Sequence, residues 1–295
     1  MRKDNEDRIN MKKKKKIPNT AKGVIILSVL VFGIVALWQG LTVKRYTVSS
    51  DKIKSSVKIL AITDLHSTIY GNKQKKLIDK IQDYNPDVIV LVGDIAVDDV
   101  SHKGTELLLA GIAGEYPCYY VTGNHEYMSG EVTYIKDMIQ SYGVTILEGN
   151  SSILEVNGQQ IRFAGVDDPD GFSGSEYFTG GITNEWMEQF NKCAIDTGDG
   201  IYSVLLSHRP ELTELYKKSG FDLVISGHAH GGQVRIPGIL NGLLAPNQGF
   251  FPKYAGGLYK LDDTTMIVSR GLCRNLIPRV FNPPEIVVIN LEPLV

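Results

Sequence analysis

Cysteine is scarce in this chain. Only three are present in 295 residues, Cys118, Cys193 and Cys273, odd in number and far apart. They do not make the stapled framework of a small secreted domain, and they read as small packing residues. The chain has no internal repeat, no low-complexity segment beyond one lysine run, and no twin-arginine pair. It also lacks the clustered H-x-H-x-D-H block that an amidase- or lactamase-type metallohydrolase would need. Histidine is sparse too, with six residues, so the placement of each one carries information. With 43% apolar residues, the length suffices for one large domain or two small ones with a full core.

Charge is unevenly spread. Residues 1–23 hold nine of the 31 Lys and Arg, including the run Lys12 to Lys16, and three of the 33 acids. The stretch VIILSVLVFGIVALWQGL, Val24 to Leu41, then carries no charge over 18 residues, close to the ~20 that span a bilayer core. That is longer than the apolar core of a cleaved signal peptide, and no Ala-x-Ala pattern follows it. The expected organisation is a basic cytoplasmic leader (1–23), a transmembrane signal anchor (24–41), a linker (42–55) and one folded domain (56–295). Positive charge ahead of the anchor keeps the N-terminus inside and sends the rest out, so the expected location is the cell membrane, single-pass, with an extracytoplasmic domain. Beyond the leader the chain is net −8, a poor match for long polyanions, and no nucleic acid is expected as a partner. Small phosphorylated or lipid-linked substrates remain compatible.

The rest of the chain alternates two periodicities. Val57–Thr63, Val88–Val92, Tyr119–Thr122, Val204–Ser207 and Leu223–Ser226 are short apolar runs bounded by Gly, Asp or Pro, the pattern of buried strands. Between them, Leu77, Ile78 and Ile81 form one helical face and Val132, Ile135, Met138, Ile139 and Tyr142 another, closed by Gly143. Glu211–Ser219 forms a third. This is an α/β pattern. The runs SSILEV, QQIRFAGV, GLYKL, TTMIVSR and EIVVINL lack long helices between them and predict a second, partly antiparallel sheet.

Five of the six histidines end a strand-like run; His102 alone does not. The five runs finish in TDLH, VGD, TGNH, SHRP and SGHAH, and carboxyl ends of strands in α/β sheets line a common crevice. Convergence there gathers Asp64, His66, Asp94, Asn124, His125, His208, His228 and His230. Oxygen and imidazole donors without cysteine suit borderline or hard divalent ions, Mn²⁺, Fe²⁺ or Zn²⁺. Each piece alone could be a turn residue; together, at successive strand ends, they predict a metal site.

In order, the set reads D-x-H (Asp64, His66), G-D (Gly93, Asp94), G-N-H-E (Gly123 to Glu126), a lone His208 and G-H-x-H (Gly227 to His230). It resembles the calcineurin-like metallophosphoesterase superfamily, whose five blocks stand here in order across residues 57–234. GGQVRIP and the tail RGLCRN…RVFNPPEIVVINL look like its membrane-anchored bacterial branch, with relatives of UDP-2,3-diacylglucosamine hydrolase. STIYG after the D-x-H departs from the earlier glycine of many members. The resemblance implies an α/β fold, a four-layer αββα sandwich of two mixed sheets with a binuclear metal site at the strand ends, preceded by the transmembrane helix.

By the same resemblance, Asp64, His66 and His230 hold one ion, Asn124, His208 and His228 the other, and Asp94 bridges both. Mn²⁺ is favoured. His125 is the expected proton donor to the leaving group. In an extended segment, residues two apart share a face, so His228 and His230 can each reach one ion. Arg209 reads as an ion-pair residue rather than a phosphate contact, and Asp167 and Asp168 line the crevice or form an Asx-turn before Pro169. Phe250, Phe251 and Tyr254 read as core or loop packing rather than a lipid seat. The expected function is hydrolysis of a phosphodiester or pyrophosphate bond. The alternative is a catalytically silent, membrane-tethered binding module, which would be expected to lack a ligand or the acid.

Overall fold

The computed structural model describes residues 18–97, 101–173, 181–193, 199–274 and 278–294. The leader expected over residues 1–23 lies outside them up to residue 17. The chain divides into two units, one ending at Ala36 and one beginning at Leu37. The first contains helix α1, Asn19–Ala36, long and apolar enough to cross a membrane; 18 residues span ~27 Å at 1.5 Å per residue. It stops five residues short of the expected Leu41, because the domain captures the backbone just beyond it. Gln39 donates to the Arg279 carbonyl at 2.8 Å, and Arg274 donates to the Gln39 carbonyl at 2.9 Å.

In the second unit, chain order begins with strand β1 (Thr42–Ser50) and β2 (Val57–Ile62), then helix α2 (Lys75–Tyr84) and β3 (Val88–Val92). Helix α3 (Lys103–Ile112), β4 (Cys118–Val121), α4 (Asn124–Met128), α5 (Val132–Ser141) and β5 (Thr145–Ile146) follow. Next come β6 (Asn150–Val156), β7 (Gln159–Gly165), α6 (Asn184–Cys193), β8 (Tyr202–Leu206), α7 (Thr213–Tyr216) and β9 (Leu223–Ser226). The short strands β10 (Leu244–Ala245) and β11 (Gly249–Phe250) precede β12 (Gly257–Leu261), β13 (Thr264–Val268) and β14 (Glu285–Pro293).

Two six-stranded mixed sheets result, ordered β1-β14-β2-β3-β4-β5 and β12-β13-β9-β8-β7-β6. Their central strands are apolar on both faces, as VKILAI in β2 illustrates. Ile59 and Ala61 join a core between the sheets with Val88, Val90, Phe163, Val204 and Ile225, while Leu60 and Ile62 join an outer core under α2, α3 and α5. Trp186, Phe190 and Tyr216 cover the other face of the second sheet. The architecture is therefore helices, sheet, sheet, helices, as the family resemblance implied.

Three local expectations change. Residues 42–55, expected to be a linker, contain β1, which pairs in parallel with β14; its half-exposed TVKRYTVSS carries no buried-strand pattern, and its partner lies at the far end of the chain. EIVVINL does not join the second sheet but inserts as β14 between β1 and β2, antiparallel to β2. Glu211–Ser219 yields only one helical turn, Thr213–Tyr216.

Candidate metal centre

The five expected strand ends do converge, but from two sheets. β2, β3 and β4 deliver Asp64, His66, Asp94, Asn124 and His125 from the first, and β8 and β9 deliver His208, His228 and His230 from the second. Within each of two groups the donor atoms all lie within 4.8 Å of one another: Asp64, His66, Asp94 and His230, and Asp94, His208 and His228. Asp94 belongs to both. Its Oδ2 faces His208 Nε2 at 3.1 Å and His66 Nε2 at 3.7 Å, while Asp64 Oδ1 lies 3.8 Å from His230 Nε2. Asn124 lines the same cavity of about 440 Å³, together with Asp94, His125, Arg209, His228 and His230.

Close approach explains the glycines of the motifs. A Cβ at Gly123 would sit 2.2 Å from Asp94 Oδ1, and one at Gly93 2.3 Å from the His208 ring. The donors themselves bear backbone strain. Asp64, His66, Asp94, His228 and His230 all have φ between 47° and 65°, a left-handed conformation that non-glycine residues rarely adopt and that gathers at functional sites.

The donors fit divalent ions in tautomer as well as in place. His208 Nδ1 lies 2.9 Å from the Val92 carbonyl, an acceptor only, so Nδ1 keeps a proton and Nε2 is the nitrogen that an ion would take. His228 Nε2 is already engaged, 2.8 Å from Asn247 Oδ1 and 3.1 Å from Arg209 Nη1, so Nδ1 is the nitrogen left to face an ion. Nδ1 of His228, Asp64 Oδ2 and Asn124 Oδ1 are buried and have no hydrogen-bond partner among the described residues. Buried polar atoms left so cost free energy unless something else engages them, and a pair of divalent ions would engage all three.

Charge follows burial. Burial and the nearby Arg209 charge hold His228 well below the usual imidazole range; burial and then His66 do the same for His230, so both are neutral. Burial raises Asp64 to about 6. Burial also works against charge on His208 and Asp94, but their mutual attraction wins, pushing the imidazole up to about 10 and the carboxyl well below its ordinary value. Without metal, His208 thus holds a proton that a divalent ion must displace. Because this folded-state value lies above the ordinary 6.5, the His208 contribution to metal-free stability is present below about pH 6.5 and lost as pH rises through about 10. Metal affinity moves the other way. It is expected to rise roughly tenfold per pH unit between about 6.5 and 10, with proton release. Titration calorimetry in buffers of different ionisation heat measures this, and a flat affinity with no proton release would contradict it.

Several residues that support the site carried no role in the sequence reading. Glu126, fully buried, accepts from the backbone N–H of Asp94 (2.9 Å), Ile95 (2.7 Å), Ala96 (3.1 Å) and Gly123 (2.8 Å), tying the G-D turn to the G-N-H turn. Glu126→Gln replaces an acceptor oxygen with a donor that faces N–H groups. A loss of ~1–3 kcal/mol in unfolding free energy and weaker metal binding are expected in thermal melts and metal titration. Cys273, expected only to pack, lies with Sγ 2.9 Å from His230 Nδ1. Asn282 and Arg279 donate to the His230 carbonyl at 2.7 and 3.5 Å, which gives the C-terminal tail a function in holding the G-H-x-H loop.

Arg209 is an ion-pair residue, as expected. Its guanidinium bonds Asp168 at 2.6 and 2.7 Å, Asp170 at 2.7 Å and Asn247 at 2.6 Å. Asp168 also makes the Asx-turn, accepting from Asp170 N at 3.0 Å. Asp167 bonds Thr122 and Lys136. His125 is half-buried at the cavity, its ring centroid 4.6 Å from that of His66. Tyr254 packs as expected, but Phe250 and Phe251 do not: they are 70% and 68% exposed.

A layered sandwich brings carboxylate and imidazole donors together at strand ends in groups that could hold a metal ion. Residues 57–232 match the calcineurin-like phosphoesterase family, and the chain belongs to that family. Over 260 residues it is 31% identical to an uncharacterized metallophosphoesterase of Campylobacter jejuni, covering 85% of this chain and 63% of that protein. A Danio rerio transmembrane protein with metallophosphoesterase domain is 28% identical over 260 residues, covering 84% and 56%. An uncharacterized metallophosphoesterase of Helicobacter pylori is 29% identical over 290 residues, covering 95% and 73%. The chain thus spans less than two thirds of the first two relatives.

Proposed function

We propose that this protein is a membrane-anchored phosphoesterase that uses two divalent ions, Mn²⁺ for preference, to hydrolyse a phosphodiester or pyrophosphate bond in a cell-envelope lipid or nucleotide sugar. The observation that carries this reading is the pair of donor groups sharing Asp94, with Asp64 Oδ2 in one and His228 Nδ1 in the other buried and without a hydrogen-bond partner among the described residues. Asp64, His66, Asp94 and His230 would hold one ion, and Asp94, Asn124, His208 and His228 the other. When bound, such a pair polarises the phosphoryl group and makes water a better nucleophile near neutral pH. The chain's own part is to fix donor geometry and move a proton. The main-chain N–H of His125 donates to Asp94 Oδ1 at 2.9 Å, which sets the imidazole at the cavity edge, where it can protonate a departing oxygen.

The apolar helix and the relatives described as transmembrane proteins support anchoring. The basic leader supports a cytoplasmic N-terminus with the catalytic domain outside. The tail motifs support kinship with UDP-2,3-diacylglucosamine hydrolase relatives. Substrate class is tested by assaying the full chain with Mn²⁺ against envelope nucleotide sugars, phospholipids, cyclic dinucleotides and nucleic acid. Turnover of one of the first two classes and none of nucleic acid is expected. Failure on every one of these, and on a nitrophenyl phosphodiester with Mn²⁺, Fe²⁺ or Zn²⁺, would refute the reading. A reporter active only outside the cytoplasm, fused after Val295, is expected to work; activity only from a cytoplasmic reporter would reverse the orientation.

A further inference from the structure

The segment between the G-H-x-H loop and β12 has a surface unlike the rest of the domain. Among the described residues from 39 onward, Ile239, Phe250 and Phe251 are the most exposed large apolar side chains, at 84%, 70% and 68%. Ile236 and Leu244 are each 46% exposed nearby in the chain. Leu244 pairs with Phe250 across the β10–β11 ladder, so the two side chains share a face, and the Phe250 and Phe251 rings lie 6.4 Å apart. The Ile236–Ile239 turn leaves and rejoins the same backbone, where Leu243 N donates to Gly232 O at 2.9 Å and Phe251 N to Leu243 O at 2.8 Å. Ordinary monomer surfaces scatter such residues singly.

Charge sets the segment apart as well. From Ala229 to Leu261 there is no Asp or Glu, while Arg235, Lys253 and Lys260 are present, in a chain that is net −8 beyond its leader. Apolar tips with basic flanks and no acid match an anionic lipid surface, where aromatic and branched side chains enter the acyl boundary and Lys or Arg meet the headgroups. Only residues 37–41 separate α1 from β1, a reach of ~18 Å when extended. If α1 spans the bilayer, the domain follows it on a tether of only these five residues.

We infer that the Ile236–Phe251 segment inserts its apolar tips into the bilayer and turns the metal cavity toward phosphoesters at the membrane surface. Pro246 and Asn247, between the paired strands of this segment, line that cavity, so the patch and the site mouth are one structure. The inference rests on the membrane-anchored phosphoesterase reading and adds to it the face that meets the lipid.

The test uses the full chain reconstituted in vesicles of phosphatidylcholine with a minor share of phosphatidylglycerol. A polarity-sensitive fluorophore is placed at Phe250→Cys or, as a control, at Ile153→Cys, an exposed position on β6; the native cysteines are buried. The label at 250 is expected to shift to the blue and to be quenched by nitroxide on the acyl chains, and the label at 153 is not. Equal behaviour of the two labels overturns the inference. So does shielding at 250 that grows with protein density at fixed lipid, which would assign the patch to a second copy. In parallel, the Phe250→Asp, Phe251→Asp double variant is expected to lose about tenfold or more on a phosphoester embedded in the vesicle, with a soluble nitrophenyl ester unchanged. Equal loss on both substrates also overturns it. If wild type hydrolyses neither ester, the phosphoesterase reading fails, and the labels still decide the membrane contact.

Discussion

Asp94→Asn is expected to lower kcat on a generic phosphodiester by about 10³-fold or more, equivalent to ~4 kcal/mol of transition-state stabilisation, and to reduce bound metal in elemental analysis. The substitution is nearly isosteric. Its Oδ1 can still accept from the His125 N–H, 2.9 Å away, so the turn that carries His125 keeps its anchor. What disappears is the negative charge on Oδ2, the atom that faces both His208 and His66. A neutral amide offers one oxygen, not two, and leaves two dications with less countercharge in a buried cavity. A melting curve separates this from misfolding, since the variant should still unfold cooperatively. Near-normal turnover with two ions retained would remove Asp94 from the bridging position.

His125→Ala is expected to keep both metals, unlike His228→Ala or His230→Ala, and to lose about 10²- to 10⁴-fold in rate, the range of general acid catalysis. The loss should depend on the leaving group. A nitrophenoxide departs with little help and should be largely spared, whereas an alkoxide needs the proton and should show the full defect. Comparing kcat for the two esters in wild type and variant checks this, and an equal loss on both would mean that His125 positions substrate or supports the metals.

Much of the centre was legible in the sequence because each donor is a polar residue that ends an apolar run. Asp64, Asp94, Asn124 and His208 come two or three residues after the last residue of a buried strand, which places them at the strand ends. The division of those strands between two sheets was not legible. β14 lies between β1 and β2, and no local pattern encodes a partner more than two hundred residues away. β1 was hidden for a related reason, being half-exposed and paired only with β14. Glu126 went unassigned because its four partners are backbone N–H groups, which leave no trace in side-chain spacing. The signal that could have found it is its place two residues after Asn124, an acid in an apolar setting. Cys273 and the Arg279–Asn282 pair were likewise visible only once the tail was seen against His230. Phe250 and Phe251 were expected to pack because aromatics usually do; a two-residue ladder gives them nothing to pack beneath.

One carboxylate, Asp94, is expected to join two metal ions at this site. Loading the full chain with Mn²⁺, counting the ions per chain and recording the electron paramagnetic resonance spectrum tests it most directly. Two ions per chain and the multiline spectrum of an exchange-coupled pair are expected, and Asp94→Asn is expected to abolish that spectrum. One ion per chain, or two with the spectrum of isolated ions, would contradict it.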